Sequence, residues 1–117
     1  MPSELLYVGP LADDPLDAAA DFHARILPAV EMALSTGAGP LTLVFEPASV
    51  EHRGWRLAVV QGLARRFAPT RVNALAAPGA DPAQRGAIAA TREWLDASPG
   101  VTGQLFAVDG TQAPPMV

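Results

Sequence analysis

The stretch VEHRGWRLAVVQGLARRFAPTRVNALAAPG, residues 50–79, carries the clearest structural signal in the chain. Its first part is an apolar run with Arg65 and Arg66 near its end and Pro69 just beyond, which is typical of the C-terminus of a helix. Residues 71–77 are then almost wholly apolar, as in a strand that is covered on both faces. A helix followed at once by a buried strand is half of a βαβ unit, and it predicts an α/β protein with a parallel sheet.

The remaining sequence continues the same alternation. Strands are predicted at residues 5–11, 41–45, 71–77 and 102–109, and helices at about 16–35, 50–68 and 82–97. Pro28 is expected to kink the first helix, and Asp13 or Asp14 to cap its N-terminus. The order βαβαβαβ with right-handed crossovers predicts a parallel four-stranded sheet with helices on both faces. Residues 1–117 form a single α/β domain in this prediction, and 111–117 form a Pro-rich tail.

The composition argues against several classes of function. The net charge is −4 and no basic cluster occurs, which argues against binding to nucleic acid. There is no cysteine, and therefore no disulfide and no thiolate metal site. No apolar run approaches the roughly 18 residues of a membrane span, and residues 1–10 lack the features of an export signal, so we expect a cytoplasmic protein with no membrane contact. Charged residues make up 17% of the chain, against roughly 25% in an average domain, which suggests that a partner covers part of the surface.

Three segments together resemble the C-terminal half of the short-chain dehydrogenase/reductase family. They are a helix ending in LARRFAP at residues 63–69, a strand RVNAL at 71–75 followed by Pro78-Gly79, and VTGQ at 101–104 running into VDG at 108–110. The resemblance covers nearly all of this chain, but about the last half of a family member. It implies a truncated, Rossmann-like α/β domain that lacks the family's N-terminal nucleotide-binding half.

The groups that the family uses for catalysis do not occur at the matching positions. The family binds its dinucleotide through a Gly-rich turn, and no GxxxGxG occurs in this sequence. Its Tyr-x-x-x-Lys pair, in which the Lys lowers the Tyr pKa, matches Ser49 and Arg53 here. The sole Tyr is Tyr7, there is no Lys, and Asn73 belongs to a strand with a structural role. The resemblance therefore implies no catalytic residue and no cofactor, and two His without a spacing motif predict no metal site.

Glu46, Glu51 and His52 are candidates for a new site. They follow the strand at 41–45, on the edge of a parallel sheet where ligands bind in α/β proteins, and they could form an acid/base cluster. The alternative is a charged helix N-terminus, in which Glu51 is favourable in the first turn. His23 is interpreted as a packed or interface histidine.

Surplus apolar surface on the first two helices predicts an interface. In the family, the corresponding helices pack against their copies in a neighbouring subunit as a four-helix bundle. An exposed apolar patch usually marks an interface, and the open edge of the first strand also needs cover. The residues that we assign to this interface are Phe22, Met32, Trp55, Val59 and Leu63.

Three functional hypotheses follow. The first is a non-catalytic structural or regulatory subunit that forms a homo-oligomer or pairs with a full-length family member. The second is an enzyme with a new site near Glu46, Glu51 and His52. The third is a dehydrogenase complex in which a full-length partner supplies NAD(P) and the catalytic Tyr and Lys.

Overall fold

The computed structural model describes residues 4–37, 39–77 and 82–108. Predictions about Pro78-Gly79 and the segment 109–117 lie outside the described residues. In chain order, the elements are β1 (Glu4–Gly9), α1 (Pro15–Asp21), a π-helical turn (Phe22–Ile26), α2 (Leu27–Ser35), β2 (Leu41–Phe45), a 3₁₀ turn (Val50–His52), α3 (Arg53–Arg66), β3 (Val72–Ala76), α4 (Pro82–Asp96) and β4 (Leu105–Ala107).

The four described strands form one parallel sheet in the order β1-β2-β3-β4. Leu41, the first residue of β2, is paired with Glu4 on one side and with Val72 on the other. β2 is buried along its whole length, as its continuous apolar run predicts. The predicted α/β fold with a parallel four-stranded sheet is confirmed.

Helices cover both faces of the sheet. α1, the π-helical turn, α2 and α3 pack on one face, where Phe22, Val30 and Val60 meet Leu43 and Phe45. α4 packs on the other face, where Ile88 and Leu95 join a core formed by Val44, Leu75, Phe106 and their neighbours. The alternation of Leu43, Val44 and Phe45 between the two cores follows from the two-residue period of a strand.

Three strands are shorter than predicted, and of these β3 (Val72–Ala76) lacks only one predicted residue at each end. β1 ends at Gly9, whose φ of +82° turns the chain away, and Pro10 follows with no N–H for a ladder hydrogen bond. β4 comprises three residues because the segment before it is held in a turn, in which the N–H of Gly103 donates to the Val72 carbonyl at 2.7 Å. The early end of β1 places the following loop at the carboxyl edge of the sheet, whereas the turn before β4 lies at the amino edge.

The first helical segment runs without a break from Pro15 to Ser35, close to the predicted 16–35, but it contains a π-helical turn. It starts as predicted, because the Asp14 carboxylate caps α1 by accepting a hydrogen bond from the N–H of Asp17 at 3.1 Å. The π-helical turn then follows, in which the Leu27 N–H donates to the Phe22 carbonyl. Pro28 therefore lies in the first turn of α2, directly after the π-helical turn, where its missing N–H is tolerated.

The π-helical turn also changes which side chains face the core. A straight helix predicts that Leu16 and His23 lie inward, but Leu16 is 81% exposed and His23 is exposed. The fully buried residues are Ala18, Phe22 and Val30. A turn with i→i+5 hydrogen bonds holds more residues than the 3.6 of an α-helix, so a spacing of four or eight residues stays on one face.

Candidate functional site

Two adjoining cavities lie at the carboxyl edge of the sheet, beside the start of α3. One has a volume of about 150 Å³, and we call it the basic cavity because its described lining includes Arg53, Arg56 and His52 and no carboxylate. The other has a volume of about 240 Å³, and we call it the acidic cavity because Glu46 and Asp13 line it. His52 and Arg56 line both. The carboxyl edge of a parallel sheet is where α/β proteins bind ligands, so these cavities are the candidate site.

The structure brings together two of the three residues that we predicted for a new site. Glu46 and His52 both line the acidic cavity. Glu51, in the 3₁₀ turn, is exposed and is not among the lining residues of either cavity. The three side chains therefore do not form one cluster.

His52 is held by hydrogen bonds on both ring nitrogens and is only 3% exposed. Nε2 lies 2.8 Å from the carbonyl oxygen of Asp13, which can only accept, so we assign the ring proton to Nε2. Nδ1 then accepts from the indole N–H of Trp55 at 3.2 Å. The ring joins the loop before α1 to the first turn of α3, and neither nitrogen is left for acid/base chemistry.

Arg56 is the residue of this site that the sequence analysis missed. It is 6% exposed, and its guanidinium carbon lies 4.5 Å from the centre of the Phe45 ring and 5.8 Å from that of Trp55. Within the described residues its Nε–H has no hydrogen-bond partner, and it forms no ion pair. Burial lowers the pKa of Arg56 below its ordinary value, because an ion is less stable away from water. The available signal was its spacing, since Arg56 comes four and seven residues before the buried Val60 and Leu63 on the inward side of α3.

The predicted interface residues are mostly used inside the chain. Phe22 is fully buried, and its ring centre lies 5.7 Å from that of Phe45 and 5.5 Å from that of Trp55. Val59 is 8% and Leu63 4% exposed, and Trp55 packs partly buried against the same core. The expectation of surplus exposed surface is therefore wrong for Phe22, which serves the core because the π-helical turn points it inward. Met32, by contrast, is 70% exposed.

A shallow groove of about 240 Å³ does run along the outer side of the helices. Its floor contains Leu27, Val59 and Leu63, and its α3 side contains the small residues Ala58 and Gly62. His23 and Arg66 also line it. The His23 ring Nδ1 lies 2.7 Å from the Ala19 carbonyl oxygen, one turn earlier in the helical segment.

The described residues provide no group of three or more His, Cys, Asp or Glu side chains arranged to hold a metal ion. Within the same ranges, no helix is both long and apolar enough to cross a membrane.

Two sequence motifs that lie about 30 residues apart contact each other in the structure. The Asn73 amide in β3 donates to the Val101 carbonyl at 3.1 Å and accepts from the N–H of Gln104 at 3.1 Å. The Thr102 hydroxyl oxygen accepts from the N–H of Val72 at 3.0 Å. The RVN and VTGQ motifs are thus the two halves of one clamp between β3 and the turn before β4, and the structural role predicted for Asn73 is confirmed.

A sequence model of the family described as short chain dehydrogenase-like protein matches residues 6–108. The chain belongs to the short-chain dehydrogenase-like family. The match covers all four strands apart from the first residues of β1, so the clamp and the parallel sheet are features of a family domain with a Rossmann-like architecture. No curated protein and no solved structure matches the chain.

The two residues that the resemblance matches to the family's catalytic Tyr and Lys lie at the basic cavity. Ser49 and Arg53, which match that pair, both line it. Ser49 is the N-cap of the 3₁₀ turn, and its side chain makes no capping hydrogen bond with any described residue. Tyr7 lies in β1 and is 49% exposed. By the matching that the resemblance implies, this cavity has a hydroxyl and a guanidinium where the family has a phenol and an amine.

Proposed function

We propose that this chain is a non-catalytic member of the short-chain dehydrogenase-like family that works as an oligomerising subunit, with α3 packed against α3 of a second copy. The non-catalytic part rests on the chemistry of the matching residues. A Ser hydroxyl lacks the acidity of a phenol, and an Arg beside it keeps its own proton. The ring of His52, the other candidate acid or base, is engaged at both nitrogens.

The observation that carries the assembly part is the groove along α3. Gly62 lies inside the helix, where Gly is less stable than Ala by roughly 0.5–1 kcal/mol. A Cβ added at Gly62 would meet no atom of the described chain within 4 Å, so packing inside the chain does not require glycine here. A small residue at this position does allow another helix to approach closely, because the interaxial distance depends on the side chains at the contact.

A second copy fits this groove better than an unrelated surface. Ala58 and Gly62 lie one turn apart on the same side of α3. A two-fold axis that passes through the helix surface between these two residues therefore places the small residues of one copy against those of the other. The rim is polar, because Arg66 on α3 forms an ion pair with Glu31 on α2. The exposed Met32 follows Glu31 and adds apolar surface beside the rim.

The test is the molar mass of the purified chain by light scattering, compared for two matched variants. Ala58→Glu places a charge in the groove, whereas Ala89→Glu places the same charge at an exposed position of α4 on the opposite face of the sheet. We expect a dimer for the wild type and Ala89→Glu, and a folded monomer for Ala58→Glu. Gly62→Leu, which fills the groove with an apolar side chain, is expected to weaken the dimer as well. A wild type that is monomeric across the concentration range, or a dimer unaffected by Ala58→Glu, would contradict the proposal.

The second candidate is a subunit that pairs with a full-length family member, which would supply NAD(P) and the catalytic Tyr and Lys. It is favoured by the position of β1, an edge strand of the described sheet with Tyr7 partly exposed on it. An edge strand offers unpaired backbone N–H and C=O groups to a neighbour. A chain that is monomeric alone but co-purifies with a co-expressed full-length dehydrogenase of the family would support this candidate over the homodimer.

A further inference from the structure

Two buried donors have no hydrogen-bond partner among the described residues, the Nε–H groups of Arg56 and Arg92, and of these Arg56 lines the cavities at the carboxyl edge. A charged group more than nine-tenths buried is normally paired, because leaving it unpaired in a low-dielectric environment destabilises the fold. Arg56 has neither an ion-pair partner nor a partner for its Nε–H within the described residues. It lines a cavity, so an anion that enters that cavity would provide the missing partner.

We propose that the basic cavity binds a small organic carboxylate with an apolar body, and that Arg56 holds its carboxylate group. The proposal rests on the cavity itself and does not depend on the α3 groove or on assembly.

The distribution of charged residues favours an anionic ligand, and it favours the basic cavity over the acidic one. Arg53 and Arg56 both line it, and no carboxylate is among its described lining residues. The start of the helix formed by the 3₁₀ turn and α3 also lies there, and a helix N-terminus favours negative charge. The neighbouring acidic cavity contains the Glu46 carboxylate, which would repel an anion.

The surroundings of Arg56 suit a carboxylate ligand. Its guanidinium packs against the aromatic rings of Phe45 and Trp55, which supports the planar group through cation–π contact. A guanidinium is planar, and two donors in its plane can hold a carboxylate in a bidentate arrangement. Exposed Arg53 adds a second cation, and the Ser49 hydroxyl, which caps no described N–H, adds a polar contact at the wall.

The rest of the lining favours a ligand whose remaining part, apart from the carboxylate, is apolar. Much of the remaining lining is aliphatic, and it includes Val50, Ala76, Leu105 and Ala107. The volume of about 150 Å³ equals that of an engineered protein cavity that binds benzene. Benzoate has this combination of one carboxylate and one ring, and it is the probe for the test.

The test measures benzoate binding by calorimetry and by the shift in Tm, at constant ionic strength. For a ligand of this size we expect a Kd on the order of 1 mM, and benzoate at about ten times its Kd should raise Tm by roughly 5 °C. Benzamide, which has the same shape without the charge, and inorganic phosphate, which has charge without an apolar body, are each expected to bind at least about 10-fold more weakly.

Matched variants assign the binding to Arg56. Arg56→Met is expected to weaken benzoate binding by about 10- to 100-fold, the loss typical of a charge-assisted hydrogen-bonded pair. It should also melt at or above the wild-type Tm without ligand, because an apolar side chain of similar length needs no partner. Arg65→Met, the same change at an exposed position of α3 outside the cavity, should leave binding unchanged. If Arg56→Met does not fold, Arg56→Lys keeps the charge without the planar fork and is expected to bind about 10-fold more weakly.

Several results would overturn the proposal: no benzoate binding at the wild type, equal affinity for benzoate and benzamide, equal affinity for phosphate, or full affinity retained in the Arg56 variants. None of these would alter the mass measured for the Ala58 variant. Failure of this inference is therefore distinguishable from failure of the proposed assembly.

Discussion

Replacing His52 with Ala separates the structural role of this residue from a catalytic one. In the wild type, the ring joins two parts of the chain: the carbonyl of Asp13 in the loop before α1, and the indole of Trp55 in α3. Trp55 in turn packs against Phe22 and Phe45 in the core. Loss of the ring therefore affects both the loop and the aromatic cluster.

The magnitude follows from the contacts. Each of the two neutral hydrogen bonds contributes about 1 kcal/mol to the free energy of unfolding. His52 is 3% exposed, so its removal also leaves space in a packed region, which adds roughly 1 kcal/mol. We expect His52→Ala to lower the free energy of unfolding by about 3 kcal/mol and Tm by roughly 10 °C for a domain of this size.

Urea denaturation followed by tryptophan fluorescence and by circular dichroism measures this change. Glu51→Ala is the matched control, since Glu51 precedes His52, is exposed and makes no contact with either cavity. Its effect should stay within about 0.5 kcal/mol. A stability unchanged by His52→Ala would show that the two hydrogen bonds do not hold the ring, and would restore His52 as a candidate acid or base.

Two further substitutions test the core and the clamp. Phe22→Ala should lower the free energy of unfolding by about 3–5 kcal/mol, whereas Met32→Ala should change it by less than about 0.5 kcal/mol. Thermal melts measure both variants. If Met32→Ala proves less stable than Phe22→Ala, the placement of Phe22 in the core is contradicted. Asn73→Ala removes one donor and one acceptor bond and should lower the free energy of unfolding by about 2 kcal/mol, with faster hydrogen exchange of the Gln104 amide. Unchanged exchange at Gln104 would mean that Asn73 does not hold the turn before β4.

The fold could be predicted from the sequence because its signals are local. Buried parallel strands read as short apolar runs such as 41–45, and helices as longer runs with caps and terminal arginines. The Asp14 cap and the strand role of Asn73 were predicted for the same reason, since each follows from a few neighbouring residues. Strand ends were less accurate: β1 stops at Gly9 and β4 starts at Leu105 because of a positive φ and a long-range clamp.

The inward side of the first helical segment could not be predicted, because the helical period changes within it. A uniform 3.6-residue period places Leu16 and His23 inward and Phe22 outside the stripe. The π-helical turn before Pro28 adds a residue to one turn, and Phe22 becomes part of the core while Leu16 becomes exposed. The interface predicted for Phe22 failed for this reason, whereas Met32, downstream of the turn, is exposed.

The sequence by itself determined the order of the elements, the parallel sheet and the family resemblance, which in turn predicts Ser49 and Arg53 at the positions of the family's Tyr and Lys. Each depends on residue type and on spacing along the chain. Which polar side chains meet at the carboxyl edge depended on packing between elements that are distant in sequence. His52 finds its partner 39 residues earlier, and Arg56 is buried against Phe45 without a carboxylate to match its charge. A buried arginine and an exposed one look alike in a sequence, because burial is a property of everything that packs around a side chain and not of the residue itself.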